Sequence, residues 1–209
     1  MQLALSTAQT TAADQRSTEI LASVRQAFAE KGFDGASMQD LARSAGISVG
    51  SFYRYFPSKA AIVEALIAHD LAEMERDFAD ILHSPRPMQA LRSKLRRIIP
   101  EHQSNKDGQL WAEITAAALR KPEIGAAACR MEQEIVGYMA RVFAAETGLA
   151  VEEAHRRYAS HATFIVMLVK SAACISNTTN DLADLNDLIF RTIDRTLDDI
   201  ACAAMPAPS

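Results

Sequence analysis

Residues 37–66 read SMQDLARSAGISVGSFYRYFPSKAAIVEAL, and this stretch predicts two short helices, a tight turn between them and the start of a third helix. Ser37 is a preferred N-cap residue, and Asp40 three positions later completes a capping-box pattern. Gly46 is expected to end the first helix, because a residue just past a helix C-terminus often needs a positive φ, which glycine adopts at little cost. Ser48 then caps the second helix, so the stretch indicates a helix-turn-helix.

The second of these helices has two chemically different faces. At about 100° per residue, Phe52 and Phe56 point the same way with Val49 near them, and they are expected to pack against the first helix. The opposite side and its flanks carry small, hydroxylated and basic side chains: Gly50, Ser51, Tyr53, Arg54 and Tyr55. This face suits a DNA major groove better than a core, because glycine allows close approach, arginine binds guanine through two hydrogen bonds, and hydroxyls reach phosphates or bases.

These residues resemble a known family, the tetracycline-repressor (TetR) family. Its motif appears here as GISVGSFYRYFPSK, from Gly46 to Lys59, and the segment Ile20–Phe33 resembles the family's first helix. The resemblance covers about residues 17–67. It implies a DNA-binding transcriptional regulator, a repressor released by a small molecule, that binds a palindromic double-stranded operator as a homodimer.

The resemblance also implies roles for individual residues. It places Gln39, Gly50, Tyr53, Arg54 and Tyr55 toward the groove, and it places Lys59 on a phosphate at a helix start, where free N–H groups favour anions. The full set of candidate DNA-binding residues is Gln39, Ser48, Val49, Gly50, Ser51, Tyr53, Arg54, Tyr55 and Lys59.

Composition limits the class of protein. The chain has 209 residues, 49% of them hydrophobic and 23% charged, which excludes a disordered or membrane-embedded chain. Only 8 glycines and 7 prolines leave long spans for helices. The net charge of -4 argues mildly against nucleic acid, but residues 1–66 are neutral. Three scattered cysteines, Cys129, Cys174 and Cys202, favour a reducing cytoplasm over a disulfide framework.

The remaining pattern predicts an all-α chain of about nine helices. Residues 1–13 carry no charge and are expected to form a flexible arm before a helix from about Asp14 to Lys31. A long helix from Ser58 to about His83 is expected to connect an N-terminal three-helix DNA-binding domain, residues 1–60, to a helical effector-binding and dimerisation domain, residues 61–209. The basic cluster at residues 92–97 is either a solvated helix face or a nucleic-acid patch.

The last two helices are expected to form the dimer interface. Residues 162–175, ATFIVMLVKSAACI, are apolar nearly all round, which indicates a helix buried on two sides, and they are too short to span a membrane. The final helix carries an apolar stripe of Leu185, Leu188, Ile189, Ile193, Leu197 and Ile200. In the family that the chain resembles, the last two helices of each subunit form a four-helix bundle.

No catalytic constellation, metal-ligand spacing or cofactor motif is present in the sequence, so no cofactor or metal is predicted. The C-terminal domain is expected to hold a modest apolar or aromatic effector, with candidate lining residues Met74, Phe78, Trp111, Tyr138, Met139, Phe143, His161 and Phe164. Three alternatives stay open: a regulator whose effector domain senses nothing, a redox-responsive regulator that uses a cysteine, and a helical enzyme or carrier whose helix-turn-helix is only structural.

Overall fold

The computed structural model describes the backbone of residues 2–104, 107–175 and 182–203, with side chains described from Arg16 onward except at 107 and 203. This part of the chain contains nine helices and no strand. The helices are α1 (Gln2–Lys31), α2 (Met38–Ser44), α3 (Val49–Tyr55), α4 (Lys59–His83), α5 (Pro87–Ser104), α6 (Asp107–Ala118), α7 (Pro122–Thr147), α8 (Val151–Ala173) and α9 (Leu182–Ala203). The predicted all-α fold is confirmed.

The helix starts and stops of the helix-turn-helix follow local sequence signals. Ser37 Oγ accepts a hydrogen bond from the Asp40 amide at 3.1 Å, and the Asp40 carboxylate accepts one from the Ser37 amide at 3.0 Å. Gly46 has φ +65°, and Ser48 Oγ caps α3 by accepting from the Ser51 amide at 3.1 Å. The predicted capping box, turn glycine and second cap are therefore confirmed.

The N-terminal helix differs from the prediction. It begins at Gln2, so residues 2–13 are helical and the expected arm before Asp14 is wrong. The physical reason is composition: this segment holds alanine, leucine and glutamine and contains neither proline nor glycine, so nothing interrupts the helix.

The chain divides into two compact units. The first unit contains the described residues up to His69 together with Ala112–Ala128, and the second contains Asp70–Trp111 and the residues from Cys129 onward. The predicted division at residue 60 differs from this grouping, because the end of α6 and the start of α7 belong with the N-terminal helices. Glu113 Oε2, for example, accepts a hydrogen bond from the Phe33 amide at 2.9 Å, across 80 positions of sequence.

An aromatic cluster forms the core of the first unit. The Phe28 and Phe33 rings stack at 5.4 Å, and the Phe52 and Phe56 rings lie 5.5 Å apart. All four rings are buried, together with aliphatic side chains of α1, α2 and α4: Ile20, Leu21, Val24, Leu41, Ile62, Val63 and Leu66.

The second unit packs α5, α7, α8 and α9 around the end of α4, with Phe143, Ile99, Leu91 and Leu197 fully buried. On α5, the basic cluster is engaged within the unit: Arg92 bonds to Asp194 and Asp198, Arg96 to Asp194, Lys94 to Asp77 and Arg97 to Glu101. These ion pairs favour the solvated-face interpretation over a nucleic-acid patch. Among the described helices, none is long and apolar enough to cross a membrane.

The contacts of Asp40 predict how the protein responds to acid. Hydrogen bonds from Lys31 and then Ser37 hold the pKa of the Asp40 carboxyl well below its usual range. A depressed pKa means that the carboxylate stabilises the fold above its unfolded-state pKa and that this stabilisation is lost as the pH falls toward the folded-state value. Thermal unfolding followed by circular dichroism is expected to show a stability loss below about pH 4 that Asp40→Asn reduces. Asp80→Asn, which removes an exposed carboxylate from α4, is the control, and a parallel acid response of Asp40→Asn and wild type would contradict the expectation.

Candidate nucleic-acid interface

One side of α3 is anchored in the core and the other is exposed. Phe52 and Phe56 are buried, so they fix the rotation of this seven-residue helix about its own axis. Gly50, Tyr53, Arg54 and Tyr55 are exposed, as their position opposite the phenylalanines predicted. Val49, although apolar, is also exposed, so it belongs to the rim of the outer face and not to the core.

Gly50 has no structural reason to be glycine. Its φ is not positive, and a Cβ built on it would meet no atom within 4 Å in the described part of the chain. Gly46 is different, because its φ of +65° is strained for any other residue. A glycine inside a helix lowers its stability relative to alanine. Gly50 therefore keeps the outer surface of α3 flat at a cost to the helix, and it leaves room for another surface to approach closely.

Helix α2, the first of the two short helices, adds a candidate residue that the sequence analysis did not name. Gln39 lies exposed in the first turn of α2, and Arg43 lies four positions later, hence on the same face of the helix. The Arg43 side chain is exposed, and its Nη1 lies 3.4 Å from Asp40 Oδ1. The i, i+4 spacing from Gln39 was the signal that could have identified it.

Lys59 is held inside the first unit. Its Nζ donates to the carbonyl oxygens of Phe33 at 2.8 Å and Asp34 at 3.0 Å, and it lies 5.3 Å from the centroid of the Phe33 ring. Desolvation lowers the pKa of Lys59, partly offset by the charge of Asp34. Two of its three donors thus tie the start of α4 to the turn after α1, and the phosphate contact stays a prediction.

The turn after α1 is also bound by two basic residues that come much later in the chain. Arg120 Nη2 lies 2.8 Å and Lys121 Nζ 3.5 Å from the Asp34 carboxylate, and Lys121 Nζ lies 5.9 Å from the Phe33 ring centroid. The hydrogen bond from Arg120, followed by the charges of Lys121 and Arg120, lowers the pKa of Asp34. Arg120 and Lys121, in the turn between α6 and α7, therefore bind the turn after α1 within the first unit, which sequence spacing alone did not indicate.

The predicted effector residues fall into three groups in the second unit. Tyr138, Met139 and Phe143 are buried, and the Tyr138 ring stacks on Phe78 at 5.3 Å. Met74, Phe78, Trp111 and His161 are half-buried. Phe164 is exposed on α8, and its predicted role in lining an effector site stays a prediction.

Tyr158 lies beside two of these candidate effector residues, and the sequence analysis did not name it as a candidate. It contacts Phe143 edge-on at 6.2 Å and His161 at 5.6 Å, and His161 Nδ1 is buried without a hydrogen-bond partner in the described residues. A separate surface groove of about 320 Å³ lies between α7 and the start of α8. It is lined by Gly137, Ala140, Arg141, Val151, Glu152 and His155, none of which was predicted to bind an effector.

The cysteines give little support to a redox site. Cys129, Cys174 and Cys202 are exposed and unpaired by disulfides. Cys174 Sγ donates to the Gly108 carbonyl oxygen at 3.4 Å, and desolvation raises the pKa of this thiol. A raised thiol pKa decreases the fraction of reactive thiolate at neutral pH.

Comparison with known proteins identifies the family. The family model described as "Bacterial regulatory proteins, tetR family" matches residues 20–66, which span α1 to α4 and include the whole anchored helix-turn-helix. Residues 20–66 belong to the TetR family. The matched segment contains the glycine turn at Gly46, the cap at Ser48 and the buried rings of Phe52 and Phe56.

Similar proteins extend the comparison beyond residues 20–66. The regulator UidR of Escherichia coli K12 is 30% identical over 132 residues, which is 63% of this chain and 66% of UidR, just under two thirds of that relative's length. A TetR-family regulator structure from Mesorhizobium loti has a TM-score of 0.68 at 21% identity, covering 91% of this chain and 96% of that one. FadR of Bacillus subtilis, solved in complex with stearoyl-CoA, has a TM-score of 0.62 at 16% identity, covering 88% of this chain and 97% of its own. At these identities, the two structures support the fold alone.

The open space at Gly50 predicts opposite effects of one substitution. Gly50→Ala should stabilise the fold by up to about 1 kcal/mol, because alanine favours the helix and the methyl group clashes with nothing. The same methyl group should weaken DNA binding by about 1–3 kcal/mol if DNA packs closely against this surface. Thermal unfolding and fluorescence anisotropy with duplex DNA measure the two effects.

Gly137→Ala is the matched control for Gly50→Ala. Gly137 lies within α7, and a Cβ built on it likewise meets no described atom within 4 Å. This variant should also be more stable, with unchanged DNA binding. Unchanged DNA binding by Gly50→Ala would show that no surface approaches α3 at this position.

The contacts of Lys59 predict a loss of stability. Lys59→Met keeps much of the aliphatic stem but leaves the Phe33 and Asp34 carbonyl oxygens without their donor, which should cost about 1–3 kcal/mol of unfolding free energy. Lys31→Met is the control, because it removes an exposed pair with Asp40 and should cost less than about 1 kcal/mol. Denaturant unfolding measures both values. An unfolding free energy of Lys59→Met equal to that of wild type would contradict the structural role.

Proposed function

We propose that this protein is a cytoplasmic, homodimeric, DNA-binding transcriptional regulator that binds a palindromic operator through α3. The observation that carries the proposal is the division of α3 into a buried aromatic side and an exposed side of Gly50, Tyr53, Arg54 and Tyr55. An exposed surface of this kind contributes nothing to the core of the unit. Its chemistry matches the hydrogen-bonding groups of bases and phosphates in a major groove.

The charge distribution supports binding by two copies. The chain carries a net charge of -4, and several basic side chains near α3 are committed to partners, such as Lys31 to Asp40 and Lys59 to backbone carbonyls. Few cations are left for phosphates, so one copy should bind DNA weakly and with a modest salt dependence. Two copies on two half-sites double the number of contacts.

The outer side of α8 and α9 supports a dimer interface. Exposed apolar side chains lie along both helices: Phe164 (42% exposed), Met167 (59%), Leu185 (37%) and Leu188 (53%). The sequence predicted a helix buried on two sides at 162–175, and within one chain only the side with Ala162, Ile165 and Val166 is buried. A second copy would cover the other side of these helices.

We further propose that the protein is a repressor released by an apolar or aromatic effector in the second unit. Half-buried Phe78 and Trp111, with buried Tyr138 and Phe143, are the candidate lining residues. The stearoyl-CoA bound in the FadR structure is a precedent in a similar fold for a ligand with a long apolar acyl chain.

Helix α6 offers a route from such an effector to the DNA-binding unit. Trp111 and Glu113 are two positions apart in α6, and Glu113 accepts the hydrogen bond from the Phe33 amide. An effector that contacts Trp111 and shifts α6 would therefore change the support of the turn after α1. The long helix α4, whose N-terminal Lys59 binds the same turn, is a second route. The effector needs only to prefer the state that fits DNA less well.

The alternatives have weaker support. A redox-responsive regulator requires a reactive thiolate, whereas partial desolvation raises the pKa of the Cys174 thiol. A helical enzyme or carrier with a structural helix-turn-helix does not explain why Gly50 leaves open space on an exposed helix that would be more stable with alanine.

Selection from a pool of random duplexes tests the proposed function. Repeated binding of the full chain should enrich a palindromic duplex that it binds at least about 1000-fold more tightly than random DNA. Arg54→Ala should cost about 1–3 kcal/mol on the selected duplex and relax the preference at one base pair per half-site. Equal binding of wild type to selected and random duplexes, measured at physiological salt, would contradict a regulator and favour the structural alternative.

The exposed patch on α8 and α9 predicts the effect of a charge. Leu188→Glu should convert the dimer to a monomer, because a dimer interface would bury the new carboxylate without a partner. Leu119→Glu is the matched control, since Leu119 is 87% exposed at the end of α6 and lies outside this patch. Sedimentation equilibrium measures the mass of each variant. Retention of a dimer by Leu188→Glu would place the interface elsewhere.

A further inference from the structure

Three side chains on the outer side of α3 form a chain of hydrogen bonds. Ser48 Oγ accepts from the Ser51 amide at 3.1 Å and lies 2.9 Å from Ser51 Oγ, to which it donates its own proton. Arg54 Nη2 donates to the same Ser51 Oγ at 3.2 Å. The three residues are spaced three apart, which places them on adjacent turns of one helix face.

The direction of these bonds follows from what each group can donate. A guanidinium only donates, so Ser51 Oγ must be the acceptor from Arg54. Ser48 Oγ already accepts from the Ser51 amide, and its hydroxyl proton is directed to Ser51 Oγ. Both lone pairs of Ser51 Oγ are then used, and its own O–H is the remaining donor.

This arrangement restricts an otherwise free side chain. Arg54 is exposed, and a long exposed arginine samples many rotamers that it must give up when it binds. The bond to Ser51 holds one Nη close to α3 before any partner arrives. The guanidinium has further N–H donors, so a base can be bound while this bond persists.

We propose that Ser51 is a positioning residue that orients Arg54 for a guanine in each operator half-site. The inference rests on the proposed DNA-binding function and adds to it a division of roles: Arg54 contacts the base, Ser48 fixes the Ser51 hydroxyl, and Ser51 acts through Arg54. Pre-orientation strengthens binding by decreasing the ordering that binding requires. A Ser51 that only donated to a phosphate would strengthen binding to every sequence equally.

A double-mutant cycle on the full-length chain separates these two roles. Wild type, Ser51→Ala, Arg54→Ala and the double variant are titrated against the selected duplex and against a random duplex. Ser51→Ala should weaken binding to the selected duplex by about threefold to tenfold, and it should have almost no further effect once Arg54 is alanine. On the random duplex, Ser51→Ala should bind within about twofold of wild type.

Rescue and folding controls complete the test. Ser51→Thr keeps the hydroxyl and should recover the affinity, and all variants should keep the wild-type melting temperature because the Ser48 cap bonds the backbone amide of residue 51. Additive losses from Ser51→Ala and Arg54→Ala, or equal losses on both duplexes, would overturn the positioning role. These outcomes differ from failure of the proposed function, in which wild type itself shows no preference for any duplex.

Discussion

The burial of Phe52 and Phe56 is the constraint on which the proposed DNA-binding surface depends. Helix α3 has seven residues, and a helix of this length is not stable alone in water. It exists because the two rings are buried in the first unit, where they lie 5.5 Å apart. The same burial sets the rotation of the helix, so it also decides that Gly50 and Arg54 face outward. One packing interaction thus determines both the stability of α3 and which of its residues face outward.

Phe33 is where the supports of this surface converge. Its ring stacks on Phe28, its amide bonds to Glu113, its carbonyl oxygen accepts from Lys59, and Lys121 lies over its ring. Because these partners come from α1, α6, α4 and the turn between α6 and α7, the turn that contains Phe33 joins four segments of the first unit. A change in any of them would alter how α2 and α3 are held. The proposed effector response would therefore act through this support and not through the proposed DNA-contacting residues themselves.

The parts of the structure that sequence predicted are those set by local chemistry. The capping box of Ser37 and Asp40, the positive φ of Gly46 and the two faces of α3 depend on residues within one or two helical turns. The contacts that sequence missed join distant positions: Glu113 with Phe33, Arg120 with Asp34, and Lys59 with the carbonyls of the turn after α1. Spacing along a chain carries no information about such pairs. The exposure of Phe164 in the single chain was missed for a related reason. An apolar pattern in a sequence does not indicate whether the same chain or a second copy covers those residues.

Methylation protection of the selected duplex by dimethyl sulfate tests the central claim most directly, because the reagent methylates guanine N7 in the major groove and adenine N3 in the minor groove. The account predicts that bound wild type protects guanine N7 at symmetric positions in both half-sites. With Arg54→Ala at saturating protein, those guanines should react again while the complex persists. Unchanged reactivity at every guanine N7, or protection confined to adenine N3, would contradict recognition of the major groove by the exposed face of α3.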